Sequence, residues 1–278
     1  GDETYTTLTA NDDYTAAAGK VTLTAAGLTK LSVGANNIRL QLNTEVREYT
    51  NVMVYTKVIT TWAEFTQTFN VALNVASKPN YGEGTYYVLG NNLDLEAPNN
   101  VGTNYGWLNY NNATGDKVLG FMGTFDGRGY TINNPVLRRG GLFGYIGSAT
   151  IKNVSVTNAT LSSADANGEK EGFAYEITGN AVIENVFFHI KGLAENQTTG
   201  NLFVVANALS GNYNENKFPT MKNALFVADF TYTGNGRSFA GAHSYGSYMK
   251  CENVNVISGI NLYGASDTSS LAQTAPKR

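Results

Sequence analysis

The chain holds 278 residues with a formal net charge of −3, and only 15% of its residues are charged. With no basic stripe it offers no footprint for nucleic acid, and no apolar run reaches the ~18 residues that would cross a membrane as a helix. One cysteine, Cys251, excludes an intrachain disulfide, while 30 glycines, 17 tyrosines and abundant threonine and asparagine favour strands and turns over helices.

Residues 1–58 read as a small β domain. Lys20-Val21-Thr22-Leu23-Thr24 and Ile38-Arg39-Leu40-Gln41-Leu42 alternate apolar and polar positions, and Val52-Met53-Val54-Tyr55 closes the set. Turn signals fall between them at Asn11-Asp12-Asp13, Gly27 and Gly34-Ala35-Asn36-Asn37. The first of these offers oxygen ligands of the kind calcium takes, but its spacing fits no calcium loop, and turn chemistry accounts for it. The segment resembles the bacterial immunoglobulin-like spacers of surface proteins, in compact or incomplete form, because a full sandwich needs about 100 residues.

Residues 59–80 hold a linker and the one clear helix, predicted over 60–76. Thr61-Trp62-Ala63-Glu64 fits a capping box. Trp62, Phe65, Phe69, Ala72, Leu73 and Ala76 fall on one stripe. We expect this helix to cover the open strand edges at the start of a solenoid beginning near residue 81.

The remainder, 81–278, is governed by a repeat, legible as far as Tyr263. Ile132-Asn133-Asn134, Ile151-Lys152-Asn153, Ile183-Glu184-Asn185, Met221-Lys222-Asn223 and Cys251-Glu252-Asn253 share one pattern: apolar, polar, asparagine. A phenylalanine precedes each: Phe125, Phe143, Phe173, Phe203 and Phe239. The asparagines are spaced by 19, 32, 38 and 30 residues, which suits one coil of a parallel β-helix with loops of varying length. Asparagine tolerates the left-handed conformation, so it is the natural corner, and stacked corner amides would bond one another at about 4.8 Å spacing. Three inward columns are predicted. The first is Ile132, Ile151, Ile183, Met221 and Cys251; the second is Pro135, Val154, Val186, Ala224 and Val254; the third is Leu137, Val156, Phe188, Phe226 and Val256. An outward column, Lys152, Glu184, Lys222 and Glu252, alternates in sign. In-register stacking would place opposite charges side by side. Right-handed winding is expected from chain chirality. The polar tail after Tyr263 shows no matching cap helix, so a further domain is expected beyond it.

The run Gly123-Thr124-Phe125-Asp126-Gly127-Arg128-Gly129-Tyr130-Thr131-Ile132, with Gly140-Gly141-Leu142-Phe143-Gly144 and Ala149-Thr150-Ile151-Lys152-Asn153-Val154, resembles the GLUG-type β-helix repeats of bacterial cell-surface proteins. Gly90-Asn91-Asn92-Leu93-Asp94-Leu95 is similar to the strand that enters such repeats, and the likeness covers about 85–155. It implies extracellular or cell-surface display, in adhesins or glycan-associated proteins, with no fixed catalytic residues to transfer. The expected fold is all-β: a right-handed parallel β-helix with an N-terminal capping helix and a small immunoglobulin-like β domain.

Two segments carry candidate chemistry. In Tyr105-Gly106-Trp107-Leu108-Asn109-Tyr110-Asn111-Asn112, the rings of Tyr105, Trp107 and Tyr110 can stack on pyranoses while the amides bond hydroxyls. The acids Asp165, Glu169 and Glu171 cluster with Lys170 and Glu176 around the first long insertion, and Glu195 would come from the next coil. Two carboxyls about 5–9.5 Å apart are what glycoside hydrolysis needs, but Asp165-Ala166-Asn167-Gly168 reads as a loop with solvated acids, so the cluster is taken as binding rather than catalytic. His189 and His243 have no triad or metal-ligand context and read as structural polar residues. Cys251 reads as a buried, inert thiol. The sequence therefore predicts a monomeric, non-catalytic module for adhesion or glycan binding. Its partner would be a glycan or a host or cell-surface protein, with no metal or cofactor. A polysaccharide hydrolase or lyase and a purely structural spacer are the alternatives.

Overall fold

The computed structural model describes residues 5–69, 82–94, 120–137, 141–162, 170–194, 201–210, 218–230, 232, 235–239 and 249–258. The chain divides into two units, Gly1–Lys57 and Val58–Arg278.

In the first unit, β1 (Tyr14–Ala17) and β2 (Lys20–Leu23) pair antiparallel, turning through Ala18 and Gly19 at φ 48° and 73°. Thr24 then caps a short helix, α1 (Ala25–Thr29), its Oγ1 accepting the Gly27 N–H at 3.1 Å. The sequence marks Gly27 as a turn because five residues show no helical period; tertiary bonds decide the matter. Asp13 is buried beneath α1. Its carboxylate accepts from Lys30 Nζ at 2.6 Å and from the Thr9 N–H at 2.7 Å, and its carbonyl accepts from the Thr24 N–H. A second antiparallel pair, β3 (Gly34–Leu42) and β4 (Glu45–Val54), shifts register between Asn36 and Ile38. The four strands stay in two separate two-stranded sheets, and no apolar side chain of this unit is fully buried among the described residues. The sheet-on-sheet core that an immunoglobulin-like domain needs is not seen among them.

The boundary falls at the first residue of β5 (Lys57–Ile59), and α2 (Trp62–Phe69) follows it in the second unit. The capping box forms reciprocally: Thr61 Oγ1 accepts the Glu64 N–H at 3.2 Å, and Glu64 Oε2 accepts the Thr61 N–H at 3.1 Å. The helix stripe buries Phe65 and Phe69. The Phe69 ring lies 5.1 Å from both Phe121 and Phe125 and 5.4 Å from Phe143. The rest of the predicted stripe, Ala72, Leu73 and Ala76, lies outside the described residues.

The rest of this unit is built of strands. In chain order they are β6 (Tyr86–Leu89), β7 (Leu93–Asp94), β8 (Thr124–Asp126), β9 (Thr131–Asn133), β10 (Val136–Leu137), β11 (Tyr145–Ile146), β12 (Thr150–Leu161), β13 (Lys170–Glu171), β14 (Ala174–Thr178), β15 (Val182–Leu193), β16 (Asn201–Ser210), β17 (Thr220–Ala228), β18 (Asn235–Phe239) and β19 (Lys250–Ser258). One sheet runs β19-β17-β15-β12-β8-β6-β5, with β7, β9 and β10 beside it. The other runs β11-β14-β16-β13, with β18 on β16. From β8 onward the chain visits the two sheets in turn. Each pairing between successive visits is parallel. Parallel neighbours need a crossover, and here the crossover contains the other sheet's strand.

Register stacks like on like. Ile151, Ile183, Met221 and Cys251 are successive partners, as are Val154, Val186, Ala224 and Val254, and Val156, Phe188, Phe226 and Val256. The predicted columns hold for these four layers but not for the layer before them. Phe125, not Ile132, lies beside Ile151; Ile132 lies beside Val156, and Leu137 beside Leu161. The reason is that Asp126-Gly127 makes the first layer's corner. The Gly127 N–H bonds the Lys152 carbonyl, and a Cβ on Gly127 would come within 2.5 Å of the Asn153 carbonyl oxygen. Asn134 instead aligns with a second left-handed bend at Asn158, with φ of 58° and 57°. The phenylalanine series also splits. Phe125 and Phe143 precede or occupy strands of different sheets; Phe143 and Phe173 are true neighbours, with rings 5.1 Å apart; Phe203 is in register with Glu171.

Candidate functional site

The corner is a continuous amide ladder. Asn153, Asn185, Asn223 and Asn253 all sit at φ between 49° and 55°, where asparagine pays the smallest steric penalty after glycine. Each Nδ2 donates to the previous Oδ1: Asn185 to Asn153 at 2.9 Å, Asn223 to Asn185 at 3.3 Å, and Asn253 to Asn223 at 3.0 Å. Asn153 donates to Asp126 Oδ1 at 3.0 Å. A carboxylate only accepts, so Asp126 fixes the direction of every amide after it. Asp126 also accepts the Tyr86 hydroxyl at 3.0 Å and the Arg128 N–H at 2.8 Å. The charge column runs alongside: Lys152, Glu184, Lys222 and Glu252 are partners in register. Ion pairs close at its two ends, Lys152 to Asp126 at 3.8 Å and Lys222 to Glu252 at 3.3 Å.

Beyond the corner, β15, β17 and β19 turn a second face outward. The alternation Val186 buried, Phe187 half-buried, Phe188 buried, His189 half-buried sets the phase. In register, this face is two columns of three: Phe187, Leu225 and Asn255, then His189, Val227 and Ile257. Ile257 is 59% exposed. The array sets apolar surface among an imidazole and an amide, on strands whose spacing is fixed by the sheet. The signal for it lay in Val186-Phe187-Phe188-His189-Ile190, a nearly unbroken apolar run where a one-faced strand should alternate.

A second polar cluster flanks this face. Asp94 Oδ1 accepts from Asn133 and Asn134 Nδ2 at 3.2 and 3.1 Å. Asn133 Oδ1 in turn accepts from Thr157 Oγ1 at 2.7 Å and Asn158 Nδ2 at 3.1 Å. The Asn158 N–H reaches His189 Nδ1 at 3.4 Å, where β12 carries one residue more than β15. His189 is thus oriented by the bulge. His243 lies outside the described residues.

Of the sequence-predicted site, Tyr105, Trp107, Tyr110, Asp165, Glu169 and Glu195 lie outside the described residues. Glu171 does not stand in solvent as its loop context suggested. It and Lys170 form β13, both fully buried, paired with Phe203 and Leu202 of β16. Burial pushes the Lys170 ammonium below the ordinary lysine value, while the adjacent Glu171 acts the other way. Directly after them, Gly172 admits the Val204 carbonyl so near that a Cβ would lie 2.3 Å from its oxygen. Cys251 is half-buried, and desolvation raises its thiol above the ordinary value, away from the reactive thiolate. Asn11-Asp12-Asp13 is a turn whose one buried carboxylate is committed to Lys30 and Thr9. Among the described residues no group of three His, Cys, Asp or Glu is placed to hold a metal ion, and no helix is long and apolar enough to cross a membrane. No protein-family model, curated protein or solved structure matches this chain.

Proposed function

We propose that the chain is a non-catalytic module displayed on, or secreted from, a bacterial cell surface, and that it serves adhesion or glycan binding. Its second unit is read as a right-handed parallel β-helix closed at its first coil by α2. The alternating visits to two parallel sheets and the in-register columns support that reading. The observation that carries the function is the outward array of Phe187, Leu225, Val227 and Ile257 with His189 and Asn255. Half-exposed apolar side chains on a rigid sheet offer stacking surface, and the imidazole and amide offer hydrogen bonds to hydroxyls. The similarity to GLUG-type repeats supports extracellular display.

The test is a glycan and cell-surface-protein array probed with the chain, with Phe187→Ala and with Trp107→Ala. Repeatable hits that fall about tenfold on Phe187→Ala support the reading. Loss on Trp107→Ala alone would move the contact to the 105–112 segment. Silence across the array overturns binding and leaves a spacer. Release of reducing ends or unsaturated products from polysaccharide would replace the reading with an enzyme.

A further inference from the structure

We infer that the outer edge of β19, along Cys251 to Val256, receives a parallel strand from a partner polypeptide, with the pattern apolar, lysine or arginine, asparagine, apolar, any residue, apolar. The inference rests on strand register and not on glycan contact, so either can fail while the other stands.

Among the described residues three ladders end at β19, and each specifies one part of the pattern. The amide ladder ends on Asn253, whose Nδ2 already donates to Asn223. Its direction, set by Asp126, leaves the Asn253 Oδ1 facing the next layer, where it needs a donor. The charge column ends on Glu252, with 72% of its side chain exposed, after strict alternation from Lys152. The next position calls for a cation. The core columns end on Cys251, Val254 and Val256, all partly exposed, whereas the previous layer's Met221, Ala224 and Phe226 are at 0%, 2% and 0%. Apolar residues at those three positions would complete the burial. Among the described strands β19 is also the last in the path of its sheet, so its outer backbone groups are the template. A second copy presenting its own β19 would bring another acceptor and another carboxylate to this edge. A strand of different sequence is therefore the fitting occupant.

The probe is a fluorescent peptide, Thr-Ile-Lys-Asn-Val-Ser-Val-Thr, which carries this pattern, titrated with the full chain and followed by anisotropy. We expect saturable binding, weakened about threefold when glutamate replaces the peptide's lysine and about fivefold when alanine replaces its asparagine. Glu252→Lys lies on an exposed side chain and should fold. With it the charge preference should reverse, so that the glutamate peptide binds better. Binding indifferent to both peptide changes, or the absence of binding to wild type, overturns the inference. So does concentration-dependent dimerisation of the chain that Glu252→Lys abolishes, because the occupant is then a second copy. So does slow hydrogen exchange along β19 in the isolated chain matching that of β17, because the edge is then already covered.

Discussion

Asn185 does two jobs that no other residue type combines. Its backbone sits at φ 55°, and its amide bridges Asn153 and Asn223. Asn185→Ala loses both, and we expect a cost of about 1–3 kcal/mol, read from the urea midpoint. Asn185→Gly keeps the conformation and loses only the bridges, so it should cost less. Equal midpoints for wild type and Asn185→Ala would refute the bridging role. The corner was legible in the sequence because its two requirements select one residue type. The first corner was not. There Asp126 supplies the acceptor and Gly127 the clearance, and the pair reads in isolation as an ordinary turn.

At the scale of elements, legibility followed exposure. β12 and β15 alternate, with one face in the core, and their partners could be aligned from the sequence. In β16, Leu202 to Ala206 are buried without a break, and in β13 both residues are buried. A strand covered on both faces loses the period-two signal, so the second sheet showed in the sequence only as the phenylalanine series, which aligned Phe143 with Phe173 but misplaced Phe203. The capping box of α2 was readable because its bonds are local. The short α1 was not, because it depends on Asp13, which lies before β1 and bonds the Thr24 cap across the hairpin. That dependence has a pH consequence. The Lys30 ammonium and the Thr9 N–H hold the Asp13 carboxyl below its ordinary value of 3.8, despite burial acting against them. A carboxyl with a depressed folded pKa contributes stability above its unfolded value and loses it as the pH falls through the folded one. Thermal melts of the first unit's transition should therefore decline as the pH falls below about 4. In Asp13→Asn that transition should start lower and vary less over this range. A wild-type transition flat down to about pH 2 would contradict the buried ion pair.

For the molecule as a whole, the layers are near-equivalent while the segments joining them differ in length. Removing residues 182–219 deletes one layer in register, because Val182 and Thr220 are partners. If the unit is a solenoid, the shortened chain should still unfold cooperatively, with a melting point lowered by about 5 °C. The deletion also brings Lys152 beside Lys222, so adding Lys222→Gln should recover about 0.2–1 kcal/mol. A shortened chain that aggregates or melts without cooperativity would reject the solenoid.

The Asp126 carboxylate also bears on whether copies can join in line through the amide row. Filaments grow when a heterologous contact repeats without closing, each subunit's leading end fitting the next one's trailing end. Here the trailing end of the amide row is sealed, since Asp126 already holds the Tyr86 hydroxyl and the Asn153 amide. Among the described residues the row's leading end is Asn253, whose amide donates back to Asn223. Copies therefore lack matching ends along this row, so the amide row by itself does not extend from one copy to the next.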